Sequence, residues 1–161
     1  DGGDSEVVLA EDGSIDCGDC TFLDVTEDNV YYDPIYEAWC LGLIHGRGAL
    51  FFYPNAPILR GEVAKVVANV FGYATSDITG DYFLDVDEDD PAVAAYIEAL
   101  AANGIVEGYG DGYFRPHKAI SVYEVKVIFR RILGETVTIS ADGNGTITRG
   151  SFMEFIMQYV S

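Results

Sequence analysis

The sequence contains few basic residues. Nine scattered Lys and Arg stand against 27 Asp and Glu in 161 residues, and the formal net charge is −18. The few cations cannot offset the repulsion between so many carboxylates and a phosphate backbone. This argues against nucleic acid as a partner and against electrostatic adhesion to an anionic membrane. No apolar run reaches the roughly 18 residues that a membrane-spanning helix needs, so we expect no membrane insertion. The sequence is still 49% hydrophobic and 13% aromatic, which predicts a folded acidic protein rather than a disordered tail.

Recognisable catalytic motifs are also missing. The sequence has no Gly-x-Ser-x-Gly, no His-Glu-x-x-His and no phosphate-binding loop. Its two histidines, His45 and His117, have no Cys or Ser at a spacing that suits a nucleophile and its base. We therefore predict that the protein is not an enzyme.

Cysteine is scarce, with Cys17, Cys20 and Cys40 only. Acidic residues surround the Cys-x-x-Cys pair and disfavour a reactive thiolate, and no spaced pair of histidines completes a zinc finger. We therefore predict a structural disulfide between Cys20 and Cys40, with Cys17 to Cys40 as the alternative pairing and the third thiol free or intermolecular. The chain starts at Asp1 without a Met or a leader, which indicates a processed secretory protein or a trimmed chain. Both features lead us to expect an extracellular protein.

An internal repeat organises the chain. Residues 22–25 (Phe-Leu-Asp-Val) recur as residues 83–86, and residues 42–46 (Gly-Leu-Ile-His-Gly) are matched by residues 104–108 (Gly-Ile-Val-Glu-Gly). The offset of 61 or 62 residues persists to the end of each unit. The repeat therefore sets the organisation of the chain, in units that can bury their apolar faces against one another.

Each unit ends in an amphipathic helix pattern, and a third copy of this helix closes the chain. In all three, apolar residues fall three and four positions apart, as on one face of a helix. One such helix cannot bury its stripe alone, so we predict that the three pack together as a pseudo-threefold central bundle. The stripe residues are Val63, Val66, Val67, Val70, Phe71, Val125, Ile128, Phe129, Ile132, Leu133, Phe152, Phe155, Ile156, Tyr159 and Val160.

The front half of each full unit predicts a second helix, over residues 33–43 and 90–103, with Asp as the N-cap and Pro at the first helical position. The third unit has residues 134–146 in place of this helix, and their pattern favours a short β-hairpin.

The resulting prediction is a mainly α fold with two and a half repeats. Repeat 1 covers residues 21–73, repeat 2 covers residues 82–134, and a partial repeat 3 covers residues 135–161. Residues 1–20 precede the repeats as an N-terminal tail that we expect to be extended or β.

The repeat resembles the S-layer homology repeat, whose pattern runs Phe-x-Asp-Val, Gly-Ile-x-x-Gly, Tyr-x-Asp-Gly-x-Phe-x-Pro and Ile-Thr-Arg-Ala-Glu. Residues 83–86, 104–108 and 109–116 carry the first three elements, and residues 147–150 (Ile-Thr-Arg-Gly) carry most of the last. The resemblance implies repeats around a central helical bundle, with grooves that bind acidic secondary cell-wall polysaccharide. It also implies that the motif arginine is a key contact, since a guanidinium fork matches a carboxylate.

The resemblance implies one set of candidate glycan-binding residues, although the motif is incomplete in each repeat. Val122 stands at the Arg position of repeat 2, and Ser151 stands at the Glu position of repeat 3. Ion pairs at helix starts and capped turns are the alternative interpretation of the arginines and aspartates. The candidates are Arg60, Glu62, Glu124, Thr148, Arg149, Asp24, Asp85 and Tyr109.

A calcium site is the one cofactor that the sequence suggests. Asp142 and Asn144 are spaced like ligands at the centre of an EF-hand loop, with Gly at the turn. In that register Ser140 and Ser151 occupy the first and twelfth positions, where the loop needs Asp and a bidentate Glu. A turn that opens the third motif helix is the alternative interpretation.

Together these features predict a non-enzymatic extracellular structural protein that assembles with copies of itself into a surface layer or filament. Residues 6–10 and 136–139 are strand-like runs whose edges could pair with a neighbouring copy. The alternative is a monomeric wall-anchoring module that binds acidic polysaccharide through Arg60 and Arg149.

Overall fold

The computed structural model describes residues 8–9, 15–16, 22–48, 50–76, 82–86 and 91–160, with the backbone alone for residues 8–9, 15–16 and 91–92. The fold of this part is mainly α, as predicted. Two short strands pair antiparallel near the N-terminus, and no described helix is long and apolar enough to cross a membrane. The elements are β1 Val8–Leu9, β2 Ile15–Asp16, α1 Tyr32–Cys40, α2 Arg60–Phe71, α3 Pro91–Ala102, α4 Val122–Leu133 and α5 Arg149–Met157.

The three motif helices α2, α4 and α5 begin at capped residues. In α4 the Ser121 hydroxyl accepts from the Glu124 N–H, and Glu124 Oε1 accepts from the Ser121 N–H, each at 3.0 Å. Glu62 Oε1 accepts from the Leu59 N–H in the same way at 3.0 Å, which is half of such a box. The Thr148 hydroxyl accepts from the Ser151 N–H at 3.1 Å at the start of α5. These bonds satisfy backbone donors that a helix start leaves open.

The apolar stripes of these helices form the core. Phe129 of α4 has its ring centroid 5.7 Å from Phe71 of α2, 4.9 Å from Phe155 of α5 and 5.4 Å from Tyr159 beyond α5. One aromatic cluster thus joins the three motif helices, and burying each large apolar side chain stabilises the fold by about 1.5–3 kcal/mol. The buried stripe residues are Val63, Val66, Val67, Val125, Ile128, Phe129, Phe152 and Ile156.

Three short segments that precede the motif helices pair with one another. The Ile58 N–H donates to the Ile147 carbonyl and the Ile120 N–H donates to the Ile58 carbonyl, both at 3.0 Å. The Val122 N–H donates to the Gly145 carbonyl at 2.9 Å. Each segment therefore pairs with both of the others, which fixes the starts of α2, α4 and α5 relative to one another.

The front helices of the first two repeats each pack against a motif helix of another repeat. Helix α3 packs against α2, and α1 packs against α5. Glycine permits both approaches: a Cβ at Gly61 would lie 3.0 Å from Val93, and a Cβ at Gly150 would lie 2.5 Å from the Tyr31 ring. Among the described residues no front helix packs against α4.

The segment between α4 and α5 is a loop, so the predicted β-hairpin over residues 134–146 is wrong. It contains no strand; instead Val137 is buried in the core, and the Asp142 N–H donates to the Thr146 carbonyl at 2.8 Å to close a tight turn. Thr146 bridges to Ser121 of the neighbouring segment rather than to residues 136–140. Pairing with a distant segment thus replaces the local pairing that the pattern favoured.

The predicted start of the first helix also differs. Helix α1 begins at Tyr32, and Asp33 lies in its first turn rather than at the N-cap, which is Tyr31. The Asn29 side chain fixes this start by accepting from the Tyr31 N–H at 2.9 Å. The predicted cap Asp90 lies outside the described residues, and so does most of the predicted N-terminal tail.

Candidate functional site

Arg149 lies at the junction of repeats 3 and 1, where it is fully buried. Its Nε donates to the Phe52 carbonyl at 2.9 Å, Nη2 donates to the His45 carbonyl at 2.6 Å, and Nη1 pairs with Glu62 Oε2. The guanidinium also lies over the Phe52 ring at 4.4 Å. Burial and then the nearby Arg47 charge lower the pKa of Arg149 to about 9, which leaves it protonated at neutral pH. Every direction around the cation is occupied by protein.

Arg60 occupies the matching place at the junction of repeats 1 and 2. It is 5% exposed, donates from Nε to the Phe114 carbonyl at 2.8 Å and pairs through Nη1 with Glu124 Oε2. The Tyr109 hydroxyl donates to the same carboxylate oxygen at 2.9 Å. Burial alone would raise the pKa of Glu124, but the Ser121 N–H, the Arg60 charge and the Tyr109 hydroxyl together lower it.

The third junction, between repeats 2 and 3, lacks both the arginine and the glutamate of this ion pair. The Arg60 N–H donates to the Lys118 carbonyl and the Arg149 N–H to the Ala56 carbonyl, each two residues before the core isoleucine of the neighbouring segment. The Val122 N–H makes the equivalent bond to Gly145. The residue facing Val122 is therefore expected at position 151, where this chain has Ser. The two departures from the motif, in repeats 2 and 3, belong to one junction.

Asp24 and Asp85 stabilise the loops that carry the Phe52 and Phe114 carbonyls, to which Arg149 and Arg60 donate. Asp85 Oδ1 and Oδ2 accept from the N–H groups of Phe114 and Arg115, both at 2.9 Å. Asp24 accepts from the N–H groups of Phe52 and Tyr53 at 2.9 and 2.7 Å.

Tyr53 and Arg115 both have φ of 60°, a left-handed conformation that is uncommon for residues other than glycine. Each aspartate thereby stabilises a tight loop, and that loop aims its carbonyl at the buried arginine.

Three cationic side chains surround Tyr109, which is 39% exposed. The cationic groups of Arg60, Arg115 and Lys118 lie 4.7, 4.5 and 4.7 Å from the centre of its ring. Arg115 also pairs with Asp111 at 2.5 Å, whereas Lys118 forms an ion pair with no carboxylate in the described part of the chain. We call these four residues the Tyr109 cluster. The basic residues are thus partly clustered, and the assumption that they are scattered is wrong.

Two cavities flank this cluster. One of about 270 Å³ lies between α3 and residues 115–118, and its lining includes Asp85, Val93, Arg115 and Lys118. The other, of about 140 Å³, has a lining that includes Arg60, Glu107, Tyr123, Glu124 and Arg131.

Four residues at these junctions were not identified from the sequence: Arg47, Arg115, Lys118 and Arg131. Arg47 donates to Glu62 Oε1 and to the Pro57 carbonyl, both at 2.9 Å. Arg47 in repeat 1 corresponds to Tyr109 in repeat 2, which lies 62 residues later. A residue-by-residue alignment of the two repeats could therefore have identified Arg47.

The predicted calcium ligand Asp142 is engaged within its own turn. Its Oδ1 accepts from the Asn144 and Thr146 N–H groups at 2.8 and 3.0 Å, and its Oδ2 accepts from the Thr146 hydroxyl at 2.5 Å. These bonds lower the pKa of Asp142, and the bond from the Thr146 hydroxyl has the largest effect. No group of three or more potential metal ligands lies together in the described ranges.

The predicted disulfide reaches beyond the part of the chain that the structure describes. Cys17 and Cys20 lie outside the described residues, whereas Cys40, the last residue of α1, is half-buried and makes a contact of its own. The pairing of Cys20 or Cys17 with Cys40 stays a prediction.

Comparison with known proteins identifies the repeat. Residues 82–121 match the family model of the S-layer homology domain. The chain is also 30% identical over 119 residues to the surface-layer 125 kDa protein of Lysinibacillus sphaericus, a match that covers 72% of this chain and 10% of that protein. The chain thus spans about a tenth of the length of this relative. The matched residues include Asp85, Tyr109 and the loop up to Ser121, and the chain is an S-layer homology domain protein.

Proposed function

We propose that this chain is a non-enzymatic module that binds an acidic wall polysaccharide at the cell surface. The S-layer homology domain and the surface-layer relative indicate the cell-surface location. The observation that carries the binding role is the Tyr109 cluster, which gathers three of the nine basic residues around one exposed ring in a protein of net charge −18. A solvated surface of so acidic a protein needs no such concentration of cations.

The exposed members of the cluster supply the chemistry that an acidic sugar requires. The Lys118 ammonium has no described carboxylate partner, and Arg115 is paired only with exposed Asp111. Both can bind a ligand carboxylate through charge-assisted hydrogen bonds. Tyr109 offers an aromatic face beside them, on which a sugar ring can pack.

In this proposal Arg60 is a positioning residue. It is buried against Phe114 and Glu124, so a ligand could reach it only by displacing these partners. Its guanidinium lies 4.7 Å from the Tyr109 ring centre, and its partner Glu124 accepts from the Tyr109 hydroxyl, so the pair holds the ring in place. Arg149 is buried even more completely, and we therefore assign it to the stability of the repeat junction.

The pseudo-threefold arrangement predicted from sequence is part of the proposal. It is supported by the mutual pairing of residues 57–59, 119–121 and 146–148 and by the matching ion pairs at two of the three junctions. This arrangement implies grooves between the repeats, and the groove at Tyr109 contains three basic side chains.

Sedimentation with cell walls of Lysinibacillus sphaericus tests the proposal. The wild-type chain should sediment with the walls, and the Arg115→Gln/Lys118→Gln variant should bind at least about tenfold more weakly because it lacks both exposed cations. Asn69→Asp/Ser76→Asp, on α2 and the loop after it, changes the net charge equally and is the control. Equal binding by the wild type and the Arg115→Gln/Lys118→Gln variant, or no binding by the wild type, would contradict the proposal.

Self-assembly into a layer or filament is the second candidate. It is favoured by four exposed apolar side chains at residues 23, 50, 51 and 53, two of which have ring centroids 5.8 Å apart. Size-exclusion chromatography with light scattering, with and without Ca²⁺ and reductant, tests it: polymers support assembly, and a 17.5 kDa monomer contradicts it. The side chains are Leu23, Leu50, Phe51 and Tyr53.

A further inference from the structure

The outward face of α4 differs in composition from the corresponding faces of α2 and α5. Residues three and seven positions apart on a helix share a face. On α2 these positions hold Gly61, Ala64 and Ala68, and all three are buried. On α5 they hold Gly150, Met153 and Met157, of which the first two are buried. On α4 they hold Tyr123, Lys126 and Arg130.

The difference follows the packing of the front helices. Helix α3 covers α2 and α1 covers α5, but within the described ranges no helix covers α4. Tyr123 stands where the other two motif helices have a glycine, and it is 76% exposed. A tyrosine here blocks the close approach that Gly61 and Gly150 allow, so a front helix could not pack on this face of α4 in the same way.

This face is also strongly basic. Helix α4 carries Lys126, Arg130 and Arg131, a further three of the nine basic residues of the chain. Lys126 and Arg130 form no ion pair with any described carboxylate, and Arg130 donates only to the Thr136 hydroxyl at 3.1 Å. Arg131 lies 3.5 Å from Glu107, whose side chain is 75% exposed. An exposed pair of this kind contributes little to stability. Arg131 also donates from Nη1 to the Ile105 carbonyl at 3.1 Å, which leaves Lys126 and Arg130 as the cations with the fewest protein contacts.

The α4 face is continuous with the Tyr109 cluster. The cavity of about 140 Å³ is lined by Arg60 and Glu124, which contact Tyr109, and also by Tyr123 and Arg131 of α4. A chain that leaves the cluster through this cavity would meet Arg131 and then the remaining cations. The helix has 12 residues and is therefore about 18 Å long, enough for several sugars.

We propose that Tyr123, Lys126, Arg130 and Arg131 form a second subsite for the same acidic polysaccharide, which only chains longer than the Tyr109 cluster can reach. The inference rests on the proposed function. Its occupant follows from charge complementarity and from the shared cavity: a polyanion held at Tyr109 is guided along a cationic helix that no front helix covers.

Polysaccharide released from Lysinibacillus sphaericus walls and separated into short and long fractions tests the subsite by titration calorimetry. The long fraction should bind the wild type more tightly than the short one. Lys126→Gln/Arg130→Gln should weaken binding of the long fraction about three- to tenfold and leave the short fraction unchanged. Asn69→Asp/Ser76→Asp is again the control, and circular dichroism of each variant verifies that the helices persist.

The outcomes separate the two proposals. If neither fraction binds the wild type, the polysaccharide role itself fails. If both fractions bind equally tightly, or if Lys126→Gln/Arg130→Gln binds the long fraction like the wild type, the subsite is wrong while the role of the Tyr109 cluster stands. A protein that is captured on α4 in place of the glycan would also overturn the subsite.

Discussion

Arg149 of the last motif helix pairs with Glu62 of the first, at a separation of 87 residues. Arg60 and Glu124 form the matching pair between the first and second repeats. In each case the same glutamate also accepts from the backbone N–H three residues earlier, so one carboxylate caps its own helix and binds the arginine of another repeat.

Replacing Glu62 with Ala should destabilise the fold by about 3–5 kcal/mol, because the buried Arg149 charge would lose its partner. Chemical denaturation of the wild type and the variant measures the difference in the free energy of unfolding. Glu154→Ala, an exposed glutamate on α5, is the control. A loss below about 1 kcal/mol at Glu62 would show that the pair is as weak as a surface ion pair.

The lowered pKa of Glu124 predicts a loss of stability in acid. Its pKa in the folded state lies below the ordinary value of 4.5, so the folded state holds the proton less tightly than the unfolded state. The resulting stabilisation is present above pH 4.5 and is lost as the pH falls through the folded-state pKa. Unfolding midpoints of the wild type and Glu124→Gln between pH 7 and pH 3 should converge in acid; parallel curves would contradict the assignment.

The close contact at Gly150 predicts a large effect of a single methyl group. Gly150→Ala would place a Cβ 2.5 Å from the Tyr31 ring, and separating α1 from α5 should cost about 1–3 kcal/mol. Gly143→Ala is the matched control, since nothing lies within 4 Å of its added Cβ. Thermal unfolding of both variants checks the prediction, which fails if the two melt at the same temperature.

The incomplete third junction can be rebuilt. Val122→Arg alone should destabilise the protein because it buries an unpaired charge, whereas Val122→Arg with Ser151→Glu should recover stability. A double-mutant cycle should give a favourable coupling energy of about 1–3 kcal/mol. Additive effects of the two substitutions would show that positions 122 and 151 do not face each other.

The predicted disulfide is tested by peptide mapping without reductant. We expect a peptide that links Cys20 to Cys40, with Cys17 to Cys40 as the alternative. Closing a loop of about 20 residues stabilises a fold by about 3 kcal/mol, so Cys40→Ser should lower the free energy of unfolding by that order. Three unlinked cysteines in the mapped protein would refute the pairing.

Much of the fold could be predicted from the sequence because the repeats encode it locally. The stripes from Val125 and Phe152 predicted helices that the structure contains, and Ser121 and Thr148 cap them. The loop before α5 was mispredicted because Thr146 pairs with Ser121, a partner 25 positions away that no local pattern reveals.

The candidate site was harder to predict than the fold. Arg60, Glu124 and Tyr109 come together as a group, but the sequence could not reveal that Arg60 is buried and that Arg115 and Lys118 remain exposed beside Tyr109. The exposure of Arg115 depends on its left-handed backbone conformation, which Asp85 stabilises by accepting from the Arg115 N–H. Whether any of these residues binds a glycan stays a prediction.

The mutual pairing of the three segments before α2, α4 and α5 has a consequence for folding. In an open solenoid each repeat contacts only its neighbours, and a terminal repeat can fray or be removed. Here the last segment pairs with the first, and Arg149 bonds to Phe52 at a separation of 97 residues. All three segments can pair only when residues 57–59 and 146–148 have come together, which predicts slow, all-or-none folding with a high contact order. Deleting α5 should therefore unfold repeats 1 and 2 rather than leave a shorter array.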